Sequence, residues 1–108
     1  MEIKSTEEFI RSVKPLAKRY RSFNKDYQKL LDELEKNPKL GTDLGEGFRK
    51  VRMAIQSKGK GKSGGARVIT LDLVERNGVL YLLYGYDKSD ADNISLNVIK
   101  EIVAKLHL

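Results

Sequence analysis

The sequence predicts an α+β fold: a short N-terminal strand, an α-helical hairpin, a three-stranded antiparallel sheet and a C-terminal helix. Three observations carry this. Apolar residues fall at helical spacing twice before residue 36, run as alternating or continuous strands between residues 48 and 86, and return to helical spacing near the C-terminus. Helices grouped before strands favour α+β, with the helices on one face of the sheet. The opposite face is then left to water and ligand.

Residues 1–4 suit a short strand, and Ser5 with Glu8 fits a capping box that starts a helix. Phe9, Ile10, Val13, Leu16, Ala17 and Tyr20 share one face of that helix. Pro15 lacks an amide hydrogen and clashes with the preceding turn, so a kink or an early end is expected near Lys14. A second helix capped by Ser22 buries Phe23, Tyr27, Leu30, Leu31 and Leu34, and Asn37-Pro38 ends it. The short turn between the two makes an antiparallel pair that packs on the sheet.

Over residues 48–55, Val51, Met53 and Ile55 point one way and Lys50, Arg52 and Ala54 the other. The stretch from Ser57 to Gly65 is lysine and glycine with no apolar anchor, so a mobile basic loop is expected. Strands at 66–75 and 79–86 flank Asn77-Gly78, the residues of a type I′ hairpin turn. Parity in the last strand puts Tyr84 and Tyr86 on one face and Tyr81 on the other. The closing helix, roughly 95–106, turns Leu96, Ile99, Ile102, Val103 and Leu106 inward.

The 108 residues fit one domain, 1–108. Apolar runs are too short to cross a bilayer, and Met1-Glu2-Ile3-Lys4 lacks a signal-peptide profile, so a cytoplasmic protein without membrane contact is expected. The chain has no cysteine, which excludes disulfides and thiolate metal sites, and its one histidine, His107, is expected to be exposed and frayed. No cofactor and no metal are expected. Between Gly47 and Leu71 lie Arg49, Lys50, Arg52, Lys58, Lys60, Lys62 and Arg67 with no acid among them. Removing those seven from 21 basic residues leaves 14 against 15 acidic ones, so one segment carries the whole net charge of +6. A solvated surface is the bland explanation; a polyanionic partner is the functional one.

Two motifs fail. Gly61-Lys62-Ser63 resembles the end of a phosphate-binding loop, but Gln56 stands where a glycine is required, and a strand follows instead of a helix. The acidic run from Asp87 to Asp92 lacks the glycine and the final glutamate of a calcium loop.

The order LGTDLGEGFRKVRMAI, basic loop, GGARVITLDLV, Asn-Gly, YLLYGYDKSD resembles the RelE/ParE toxin superfamily, particularly HigB-like RelE toxins, in its Leu-Gly turn, KxR strand, GxRV strand and charged end of the last strand. The resemblance covers nearly the whole chain. It implies the toxin of a type II toxin–antitoxin system, a ribosome-dependent endonuclease (mRNA interferase) cutting messenger RNA in the ribosomal A site. It also implies a cognate antitoxin, expected to be a small helix-turn-helix protein. By position it places the family's basic strand pair on Lys50 and Arg52, its phosphate-binding arginine on Arg67 and its late basic residue on Lys88; Tyr86 joins these as a catalytic candidate, and Arg49, Lys58, Lys60, Lys62 and Tyr84 are the candidates for RNA binding. Other members place a histidine or tyrosine near the end of the last strand; this chain has no histidine there.

RNA breaks without metal when its 2′-hydroxyl attacks the adjacent phosphorus. The reaction needs a base, charge stabilisation of the phosphorane and an acid for the leaving oxygen. Arg52 and Arg67 suit the second service, because guanidinium stays charged and forks onto phosphate. Lys50 is the candidate base, and Tyr84, Tyr86 or Lys88 the acid. Competing readings are a ParE-like poison of DNA gyrase without RNA chemistry, and a non-catalytic nucleic-acid-binding module.

Overall fold

A computed structural model describes residues 1–91 and 93–108; Asp92, the sixth position of the rejected calcium loop, lies outside them. In chain order the elements are β1 (Glu2–Ser5), α1 (Glu7–Arg19), α2 (Phe23–Lys36), β2 (Thr42–Gly45), β3 (Phe48–Met53), a 3-10 turn (Gln56–Lys58) and the single-turn α3 (Gly61–Gly64). They continue with β4 (Ala66–Leu73), the single-turn α4 (Val74–Asn77), β5 (Val79–Asp87) and α5 (Leu96–Ala104). The fold is α+β, and the sheet has five strands in the order β1-β5-β4-β3-β2. β1 runs parallel to β5, and the remaining neighbours are antiparallel.

Thr6, not Ser5, caps α1. Its hydroxyl accepts from the Phe9 amide and donates to the Leu82 carbonyl, while Ser5 stays in β1 and bonds the Tyr27 hydroxyl. Nor does α1 end near Lys14; it passes through Pro15 to Arg19. A proline inside a helix costs about 3 kcal/mol. Burial of Leu16, 3% exposed, returns about 1.5–3 kcal/mol by itself, and Phe9 in the same helix is buried too.

The sheet has a core on each face. Phe9, Leu16, Phe23, Leu30 and Leu34 from the helical pair meet Val51, Met53, Val68, Leu80 and Leu82 on one side. On the other, Ile99 and Ile102 of α5 join Phe48, Ile69, Leu71, Tyr81 and Leu83. The second face is therefore not simply left to solvent, because the apolar stripe of α5 needs a partner and takes this one.

Two turns depart from expectation. β4 stops at Leu73 and the single turn α4 intervenes, so the β4–β5 hairpin closes through five residues, with Gly78 left-handed at φ 77°. The pair of positive φ values that a type I′ turn needs belongs instead to Glu46 and Gly47, between paired Gly45 and Phe48. That turn joins β3 to β2, an edge strand that short polar sequence does not announce. Gly41 enters it at φ 103°, where a Cβ would stand 2.6 Å from the Lys50 carbonyl oxygen.

A β-bulge also breaks parity in β5. Ile69 pairs with Tyr84 but Thr70 with Leu82, leaving Leu83 as the extra residue. Tyr81, Tyr84 and Tyr86 consequently all join the cluster beneath α5, against the alternation expected for Tyr81.

Beside the bulge the Thr70 hydroxyl is fully buried and has no hydrogen-bond partner among the described residues. Thr70→Val keeps the shape and removes that unmatched group, so it should stabilise the fold by about 1 kcal/mol. The midpoint of urea unfolding measures this; a lower midpoint would mean that the hydroxyl is bonded in solution.

Candidate functional site

Register brings the predicted cations together on one sheet face. Arg52 pairs with Arg67 and Arg67 with Tyr86; one step along, Lys50 pairs with Ile69 and Ile69 with Tyr84. Directly opposed residues project to the same side. Arg52 is exposed and Lys50 half-buried, and the Lys50 ammonium donates to Asn93 Oδ1 at 2.8 Å. The Tyr84 and Tyr86 rings lie 6.4 Å apart. Tyr86 is 7% exposed and Lys88 half-buried just past the end of β5.

Arg67 differs from the open phosphate ligand expected of it. It is 5% exposed, and its guanidinium donates to the carbonyls of Lys62 at 3.0 Å, Ser63 at 2.9 Å and Ala66 at 3.0 Å. Burial, followed by the neighbouring Arg52 charge, pulls its pKa below the ordinary arginine value. Its position in the row holds; its donors are occupied by the loop.

That loop is not the mobile segment expected. It forms the 3-10 turn and α3, and is tied down by Ser57 to Ser22, by Lys62 to Glu33 and by Lys58 to Asp87. Lys58 is thereby corrected from a loop cation offered to RNA: its side chain is 9% exposed and reaches Asp87 Oδ1 at 2.7 Å and Ser89 Oγ at 3.0 Å. Arg49 is corrected likewise. Its parity matches Val51, on the helical-pair face away from Lys50 and Arg52, and it pairs with Asp72 at 2.8 Å. Lys60 stays exposed, and Lys62 is half-exposed in its pair with Glu33.

Asp87 is the residue that sequence reasoning passed over. Its side chain is fully enclosed, and its two oxygens accept from Lys58, Arg19, the Tyr20 hydroxyl, and both the amide and hydroxyl of Ser89. Burial alone would raise its pKa, but the hydrogen bonds from Lys58, Ser89 and Tyr20 outweigh burial and hold the carboxyl well below the usual range. An acid ending an otherwise apolar strand run is the one signal in the sequence that pointed to it. Among the described residues no three His, Cys, Asp or Glu side chains gather as a metal site would require.

Residues 10–106 match the family model described as the RelE toxin of the RelE / RelB toxin-antitoxin system. The chain belongs to the RelE toxin family. This RelE-family chain is accordingly a toxin of a toxin–antitoxin system and has an antitoxin as its partner. Among the described residues no helix of the RelE-family chain is long and apolar enough to cross a membrane.

The Asp87 network predicts an acid-labile toxin. A carboxyl whose folded pKa is depressed contributes stability that is complete above its unfolded pKa and is lost as pH falls from there toward the folded value. This contribution should therefore fade below about pH 4. Asp87→Asn leaves the Lys58 ammonium buried without its counter-charge, at a cost of about 3–5 kcal/mol near neutrality. Urea unfolding of both proteins at pH 7 and pH 3 checks this: the gap between them should narrow at the lower pH, and a constant gap would contradict the account.

Proposed function

We propose that this toxin is a ribosome-dependent endoribonuclease, acting in the cytoplasm on messenger RNA in the ribosomal A site and restrained by a small helix-turn-helix antitoxin. The observation that carries the reading is the pair of adjoining rows, Arg52–Arg67–Tyr86 and Lys50–Ile69–Tyr84, on one sheet face. Family membership supports the toxin role on which it builds.

In the proposed reaction the 2′-oxygen forms a bond to phosphorus and the bond to the 5′-oxygen breaks, leaving a 2′,3′-cyclic phosphate and a free 5′-hydroxyl. Lys50, oriented by Asn93, takes the 2′-hydroxyl proton. Arg52 meets the phosphorane charge, which a preorganised cation stabilises more than it does the starting diester. Tyr86 or Lys88 returns a proton to the leaving oxygen, and Tyr84 stacks on a base. Arg67 serves as a positioning residue, since its hydrogen bonds hold the loop carbonyls beside Arg52. Lys60 and Lys62 attract the strand from the loop.

The burial of Arg67 also favours a second reading, a contact poison of DNA gyrase that needs no open phosphate site. Translating ribosomes separate the two. Lys50→Ala and Arg52→Ala should each lower the rate of message cleavage by about 100- to 1,000-fold without shifting the melting temperature. Arg67→Lys should raise KM more than it lowers kcat. Mapped cuts that persist undiminished in both alanine variants would remove the assignment, and an absence of cuts with the unaltered protein, alongside gyrase inhibition, would establish the second reading.

A further inference from the structure

Beyond the sheet face, a second group of cations has no partner among the described residues. Arg21, Lys25 and Lys29 are exposed and recur every four residues; Lys25 and Lys29 stand above one another along α2, and Arg21 lies in the turn just before its Ser22 cap. Among the described residues these three and Arg52 make no ion pair or hydrogen bond. The arrangement is unfavourable for the chain alone, because like charges at this spacing repel, and Arg21 and Lys25 also face the positive end of the helix dipole. Neighbouring acids do not relieve it. Asp26 accepts from the Ser22 hydroxyl at 2.7 Å and the Gln56 amide at 3.1 Å, and Glu33 is paired with Lys62 at 2.9 Å.

The same residues line open space. Lys25, Lys29, Arg52 and Lys62, together with the hydrogen-bonded acids Asp26 and Glu33, border a cleft of about 440 Å³ between α2 and the end of β3. It adjoins a second hollow of about 410 Å³, bordered by Arg21, with Lys25 and Gln56 common to both. Arg52 belongs to this cleft and to the row containing Arg67 and Tyr86, so the two cationic surfaces are continuous through it.

We propose that this cleft is a second RNA-backbone subsite. A single strand with one phosphodiester over Lys50 and Arg52 continues past Arg52 and lays its next phosphates against Lys29, Lys25 and Arg21. The inference rests on the RNA-binding reading of the sheet face. A phosphate backbone fits better than an acidic peptide helix, which would need apolar anchors, whereas Met53 and Ile55 in the cleft wall are already buried in the core.

The test uses the double variant Lys25→Ala, Lys29→Ala in the full chain, with melting compared to the parent. Affinity for fluorescent 2′-O-methyl single-stranded oligonucleotides of about 4 and about 12 nucleotides is measured across a salt series. Loss of two phosphate contacts should flatten the salt slope for the longer strand by about 1.4 and weaken its binding roughly tenfold at low salt, with the shorter strand within about twofold. An unchanged slope overturns the proposal. So does weaker antitoxin binding with RNA binding intact, which would assign the cleft to the protein partner. Message cleavage by the parent is scored in parallel: cutting with an unchanged slope removes the cleft and keeps the nuclease reading, whereas a flattened slope without cutting keeps the cleft and removes the nuclease.

Discussion

A carboxylate taken out of water must be matched by donors or it will not stay charged, and Asp87 meets that demand from three directions. Arg19 and Tyr20 come from the end of α1, Lys58 from the turn after β3, and Ser89 from the turn after β5. These segments are far apart in the chain. Satisfying one buried charge therefore fixes the helical pair, the glycine-lysine loop and the end of the central strand relative to each other. The Arg67 guanidinium then draws the far side of the same loop down onto the sheet through Lys62 and Ser63. A segment whose composition suggests a flexible tether is held at both ends by ionic groups.

This pinning decides which charges remain available. Of the seven basic residues in the cationic segment, Lys58 and Arg49 are consumed by Asp87 and Asp72, Lys62 is shared with Glu33, and Arg67 is turned to loop carbonyls. Arg52 keeps an exposed head, Lys60 lies out in solvent, and Lys50 is held lightly by Asn93. Net charge counted along a sequence overstates the field that a partner meets, because part of it is structural. The remaining cations gather near one end of the sheet, where Arg52 joins them to the unpaired face of α2.

Much of this was legible in the sequence because periodicity reports burial directly. The stripes through Phe9 and Leu16 and through Phe23, Leu30 and Leu34, and the alternation around Val51, became elements with those residues buried, while Ile10 and Ala17 stand exposed; the apolar run before Asp87 became a strand with one shift of face. The α+β class and the family followed from their order. What stayed hidden depends on contacts between distant residues. No local pattern tells Lys58 from Lys60; a buried acid 29 positions later does. The bulge at Leu83 has no composition of its own, yet it moves Tyr84 and Tyr86 onto the face of Tyr81. Pro15 predicts a kink or an early end because propensity is local, whereas the helix around it is held by the core.

On the proposed reading, one sheet face, bounded by Arg52 and held in shape by Asp87, receives an RNA backbone. Nuclear magnetic resonance titration with an uncleavable oligoribonucleotide, following backbone amide, lysine ammonium and arginine Nε signals, examines it most directly. Perturbations should gather at Lys50, Arg52 and Tyr84 while Lys58 and Arg49 stay still. Perturbations centred on Arg49 and Asp72, on the opposite face, would contradict the account.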